Sequence, residues 1–240
     1  MLKQEDYKQH ISEQFNTELE EIKNHLLEMG GKVEKQLIEA VEAMVSRNTS
    51  VAEEIISRDH EVNQMEMRID DECATILARR QPAASDLRLV VSVIKVNTDI
   101  ERIGDEAAKI ARQGIRLADE GASPTNFVEI RHIGSHVASM LHKALDAFAR
   151  LDMDLAVDVV KEDNDVDKEY GSAMRSLVTF MMEDQRNIGP ILNEMWALRS
   201  LERIGDHAAN IAEHVVYLVR GLDVRHQESI EEYIEQVDER

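Results

Sequence analysis

The stretch Ile100-Glu101-Arg102-Ile103-Gly104-Asp105-Glu106-Ala107-Ala108-Lys109-Ile110-Ala111 returns 101 residues later as Leu201-Glu202-Arg203-Ile204-Gly205-Asp206-His207-Ala208-Ala209-Asn210-Ile211-Ala212. Each copy carries apolar residues at helical spacing, and neither contains a proline. Both read as the middle of an amphipathic helix. Working outward, a shift of 104 places Val33, Leu37, Ala40 and Ala43 on Val137, Leu141, Ala144 and Ala147. The same shift puts Ala52 on Ala156, Asp59 on Asp163 and Val62 on Val166. The register changes by three only at the loop containing Pro82, which is what a duplicated structural unit requires.

Breaks near Arg47-Asn48-Thr49, Arg80-Gln81-Pro82, Gly121-Ala122-Ser123-Pro124, Leu151-Asp152, Asn187-Ile188-Gly189-Pro190 and Gly221 delimit six helices. They span 10–47, 50–80, 84–119, 125–150, 153–184 and 188–220, and a shorter helix is expected over 226–237. The expected fold is all-α, with two tandem pseudo-symmetric antiparallel three-helix bundles. The first repeat occupies 1–121; the second, with a short C-terminal extension, occupies 122–240.

Composition agrees. Hydrophobic residues make up 43% of the 240, but aromatics only 4%, so Leu, Ile, Val, Met and Ala must fill the core. That suits helices rather than a β-sandwich. The net charge of −20 repels phosphate backbones and anionic lipid, so neither direct nucleic-acid binding nor membrane insertion is expected. Cys73 is the single cysteine and reads as an inert buried thiol. Without an apolar leader or a membrane-length apolar run, the protein is expected to be cytoplasmic.

The repeated segment also carries charge in an unusual place. Glu101 and Asp105 lie about 40° apart on their helix, beside the apolar face formed by Val93, Ile100, Gly104, Ala107 and Ala111. Glu202 and Asp206 occupy the same shelf beside Leu201, Gly205, Ala208 and Ala212. Like charges four residues apart, and a glycine in mid-helix, both weaken a helix. The chain accepts these costs twice. Gly104 and Gly205 are read as structural, admitting a neighbouring helix.

Hairpin geometry brings up more acids. Residues equidistant from a turn lie level, pairing Asn63 with Glu101, Asp59 with Asp105, Asp167 with Glu202, and Asp163 with Asp206. Carboxylates gathered in this way are costly without a cation, and an all-oxygen set favours iron, manganese or magnesium, with zinc also admissible. Asn63 breaks the pattern, so the first site is expected to be weaker or completed by another residue such as Glu66. Arg102 and Arg203 point away from the apolar face, toward local acids or a protein partner. His132 and His136 are four apart and read as a solvated face. His207 and His214 read as surface residues.

No zinc-protease, phosphate-loop or dinucleotide motif is present, and Glu-x-x-His motifs do not occur on two helices as a di-iron oxidase needs. No catalytic residues are assigned.

Together with Arg80-Gln81-Pro82-Ala83-Ala84-Ser85-Asp86-Leu87-Arg88-Leu89, the two Glu-Arg-Ile-Gly-Asp stretches resemble the signature segments of the PhoU family, and the likeness covers essentially the whole chain. The resemblance implies multinuclear metal sites at Glu101/Asp105, Glu202/Asp206 and Asp163/Asp167, with Asp59/Asn63 an imperfect match. It also implies a non-enzymatic homodimer that links the phosphate ABC transporter, through its ATPase subunit, to a sensor histidine kinase and represses phosphate-starvation genes. The alternative is a carboxylate-rich helical metalloprotein for metal storage or oxidation. A third reading is a structural adaptor that binds no metal.

Overall fold

The computed structural model describes residues 4–120 and 127–225. Among these there are six α-helices and no strand: α1 (Gln4–Ser46), α2 (Thr49–Arg80), α3 (Ala84–Glu120), α4 (Val128–Arg150), α5 (Met153–Glu183) and α6 (Ile188–Arg220). A 3-10 turn, Gln185–Asn187, leads into α6. The expected boundaries hold to within a few residues, except that α1 starts at Gln4 rather than near residue 10. The helix expected over 226–237 lies outside the described residues.

The duplication extends to the turns. Arg47 and Leu151, 104 apart, both adopt left-handed backbone, with φ of 57° and 56°. The residue that follows each caps the next helix. Asn48 Oδ1 accepts from Val51 N at 3.2 Å, and Asp152 Oδ1 accepts from Leu155 N at 3.1 Å. Each side chain satisfies an orphan amide of the first helical turn. The amides of Asn48 and Asp152 return to Ala43 O and Ala147 O, again counterparts. Identical turn chemistry at both corners sets the same exit direction for α2 and α5. Gly221, at φ 72°, closes α6 by donating its amide to Tyr217 O at 2.8 Å.

Within each half all three helices touch one another, and the halves join chiefly along α3 and α6, with α1 against α4 beside them. One hydrophobic cluster runs through both halves, from Leu26, Leu37 and Met44 to Leu141, Phe148 and Ile211. At Gly114 the α1 backbone comes close: a Cβ there would stand 3.0 Å from Met44 Cα. Any side chain there would force α1 and α3 apart.

The α3–α6 seam is antiparallel and polar at intervals. At one end, Arg88 Nε donates to Leu218 O at 3.4 Å. At the other, Asn193 Nδ2 donates to Glu120 Oε2 at 3.0 Å. Between them, Arg203 Nη1 meets Glu106 Oε1 at 2.9 Å, and Asp99 receives His207 Nδ1 at 2.9 Å and Asn210 Nδ2 at 3.2 Å. His214 Nε2 lies 3.6 Å from Asp99 Oδ2. The surface reading of His207 and His214 is therefore wrong: their side chains are 17% and 9% exposed because α3 covers them. Cys73 is fully buried, and burial pushes its thiol up to about 12, which makes it inert.

Candidate functional site

The two glycines of the repeated motif face matching surroundings. A Cβ on Gly104 would meet Val62, Val33 and Asp59; one on Gly205 would meet Asp163, Val166 and Val137. These are the same three positions in each repeat. The nearest neighbours are side chains rather than backbone, at 3.4 Å or more from Gly104 and 3.2 Å from Gly205. What the missing side chain admits is thus a carboxylate and two valines. A neighbouring helix's backbone stands against a glycine further along α3, at Gly114.

Around Gly205 the fields of Asp206, Asp167 and Glu202 converge on Asp163. Burial first, and then those charges together with Glu213, push the Asp163 carboxyl up to about 7. Burial and then Asp206 raise Glu202, against the pull of Arg199. Asp206 is raised by burial and then by Asp167. The four residues expected to stand level do act on one another, with Asp163 and Glu202 inside and Asp167 and Asp206 on the exposed rim.

Around Gly104 the set is looser. Burial and Asp105 raise Asp59; burial and Asp105, opposed by Arg102, raise Glu101. Glu66 joins them, raised by burial, then Glu101 and Asp70. It supplies the carboxylate that Asn63 lacks, one turn further along α2. Arg102 lies 3.4 Å from Glu101 and 3.8 Å from Asp105, pairing locally, whereas Arg203 reaches across to Glu106.

Four buried oxygens test whether these shelves suit a cation. Asp59 Oδ1, Asn63 Oδ1, Glu101 Oε2 and Glu202 Oε2 are shielded from solvent and accept no well-formed hydrogen bond, although Arg102 Nε stands 3.4 Å from Glu101 Oε2. An unpartnered buried acceptor costs about 1–3 kcal/mol, more when charged. Oxygen-rich, anionic and short of donors, both shelves fit a hard cation. Among the described residues, no three His, Cys, Asp or Glu side chains are already closed around one point, so gripping an ion requires them to turn inward.

No described helix is long and apolar enough to cross a membrane. The PhoU domain family matches this chain twice, over residues 26–114 and 130–215. Over 226 residues the chain is 58% identical to a phosphate-specific transport system accessory protein PhoU homolog of Pseudomonas aeruginosa, covering 94% of this chain and 93% of that one. It is 46% identical over 217 residues to the Escherichia coli K12 accessory protein PhoU, covering 90% of each. The crystal structure of Pseudomonas aeruginosa PhoU superposes with a TM-score of 0.85 at 59% identity, covering 87% of this chain and all of that one. The phosphate transport system regulatory protein PhoU of Streptococcus pneumoniae gives 0.80 at 32%, covering 87% and 98%. Two matched repeats, end-to-end identity and a shared fold establish that the chain belongs to the PhoU family.

Proposed function

We propose that this protein is a negative regulator of phosphate uptake and phosphate-starvation signalling. It acts as a cytoplasmic, non-enzymatic homodimer through contacts with the ATPase subunit of a phosphate ABC transporter and with a sensor histidine kinase. The observation that carries the reading is its identity, over nine-tenths of the chain, with relatives named as accessory proteins of the phosphate-specific transport system. The charge of −20 supports regulation through protein contacts rather than DNA.

In this reading Asp163, Asp167, Glu202 and Asp206 hold a cation in the second repeat, and Asp59, Asn63, Glu66, Glu101 and Asp105 hold one in the first. Bound there, a metal such as iron, manganese, magnesium or zinc supplies positive charge that cancels the carboxylate repulsion. The chain's own part is to fasten α5 to α6, and α2 to α3, through those carboxylates.

Deleting the gene should derepress phosphate-scavenging genes in high phosphate; normal repression and normal uptake in the deletion strain would overturn the reading. A pull-down from phosphate-replete cells should recover transporter and kinase subunits, with less of both after chelation.

A further inference from the structure

The second repeat carries another constellation, on the opposite side of α5. Glu169 lies about 200° round that helix from Asp167 and so turns away from the carboxylate shelf, toward α4. There it meets both histidines of the i,i+4 pair. His132 Nε2 is 3.3 Å from Glu169 Oε1. His136 Nδ1 is 3.2 Å from the same oxygen and 3.1 Å from Oε2. The carboxylate that joins the two histidines is thus delivered by the next helix.

We propose that His132, His136 and Glu169 form a surface site for a zinc-class transition metal, separate from the carboxylate shelves. Two imidazoles one helical turn apart, plus one carboxylate, are a recurrent three-ligand set for such ions. Metal–ligand bonds of roughly 2.0–2.2 Å place tetrahedral ligand atoms about 3.3–3.6 Å apart. The two edges that meet at Glu169 Oε1 are 3.3 and 3.2 Å. The third edge joins the two rings, and His132, 67% exposed, is free to turn and complete it.

At present the three side chains hydrogen-bond rather than cage a point, and an ion replaces those hydrogen bonds without moving a helix. The site opens onto a groove floored by Ile133 and Ala173 and edged by Glu129, Ser172 and Ser176, leaving a fourth position for water. Nitrogen ligands select zinc, cobalt or nickel over magnesium or calcium. The first repeat cannot build a copy: its counterparts of His132, His136 and Glu169 are Glu28, Lys32 and Met65.

Cobalt(II) titration of the full-length protein, followed by visible absorption, tests the assignment. The expected result is a set of d–d bands typical of four-coordinate cobalt, suppressed by zinc and unaffected by excess magnesium. His132→Ala, His136→Ala and Glu169→Gln should each weaken binding by on the order of 100-fold, at or beyond what loss of a supporting partner does. Glu202→Gln/Asp206→Asn should leave the bands intact. His132→Ala alters a largely exposed ring, so its fold is secure and thermal melting confirms it. Absence of such bands in the wild type, their persistence in His132→Ala and Glu169→Gln, or their loss in the shelf double variant would overturn the proposal.

Discussion

A methyl group on Gly205 would stand 3.2 Å from Asp163 Oδ1, whereas one on Gly104 would meet nothing nearer than Val62 at 3.4 Å. The two glycines occupy counterpart positions but tolerate substitution differently. Gly104→Ala should stabilise the protein by up to about 1 kcal/mol, because alanine is the better helix former and the space exists. Gly205→Ala gains the same propensity but displaces the Asp163 carboxylate, so its melting temperature should rise less. Thermal melts of both variants check this; a larger rise for Gly205→Ala would refute the packing argument.

Metal should bind more tightly to the second repeat. Four carboxylates there act on one another directly, while the first has an amide at Asn63 and must reach a turn further for Glu66. Replacing an anionic ligand with a neutral one weakens attraction for a multivalent cation. Glu202→Ala/Asp206→Ala should therefore lose more bound metal than Glu101→Ala/Asp105→Ala. Metal should also raise the wild-type melting temperature, since it binds only the folded shelf. Elemental analysis giving equal losses would remove the ranking, and unchanged metal in both would remove the shelves as sites.

Arg203 and Lys109 are the cations on Glu106, whose side chain is 3% exposed. Arg203→Ala leaves that carboxylate buried with Lys109 alone. The guanidinium is 43% exposed and partly screened, so a loss of about 1–2 kcal/mol is expected in urea denaturation. Adding Glu106→Gln should restore part of it. A single-variant loss that Glu106→Gln leaves unrelieved would show that the pair does not hold the seam.

His214 should make the protein acid-sensitive. Burial holds its imidazole down at about 4, although Asp99 pulls the other way; Lys95 and Arg225 add to the lowering and Asp223 opposes it. In the unfolded chain it protonates near 6.5, so the unfolded state takes up the proton first as pH falls. The stability from a neutral His214 is thus complete above about 6.5 and drains away toward about 4. Between about pH 7 and about pH 4.5 the wild type should lose about 2–3 kcal/mol more than His214→Gln. Parallel curves for the two proteins would show that this ring does not govern the loss. Asp163, raised to about 7, works in the opposite direction over the same range, which is why the difference between the two proteins is the quantity to measure.

Helix content, hairpin register and both turns were legible because each rests on local rules. Apolar spacing marks the helices, the breaks at Arg47-Asn48-Thr49 and Leu151-Asp152 mark the turns, and distance from a turn sets which acids stand level. The α3–α6 seam was not legible. Asp99, His207 and Asn210 look like solvent-facing polar residues until the opposing helix is in place. A signal existed: 207, 210 and 214 follow the i, i+3, i+7 stripe normally reserved for buried positions. Glu169 was missed for the same reason, since its role depends on which face of α5 meets α4.

The polar contacts along α3 and α6 bear on how freely the two halves can be exchanged. Exchanging partners across the duplication would place Ser200 where Asp99 stands and His207 where Glu106 stands. None of the mirrored pairings, Ser200 with Glu106, Ser200 with Lys109 or His207 with Arg102, reproduces the bridges seen in the chain. Two copies of the second half, joined head to tail, would inherit the turns and the core but would set Ser200 against His207 and His207 against Arg203, losing both acids of the central bridges. The substitution is therefore one-sided: the seam draws the acids of its central bridges, Asp99 and Glu106, from the first half alone, and the second half cannot stand in for it.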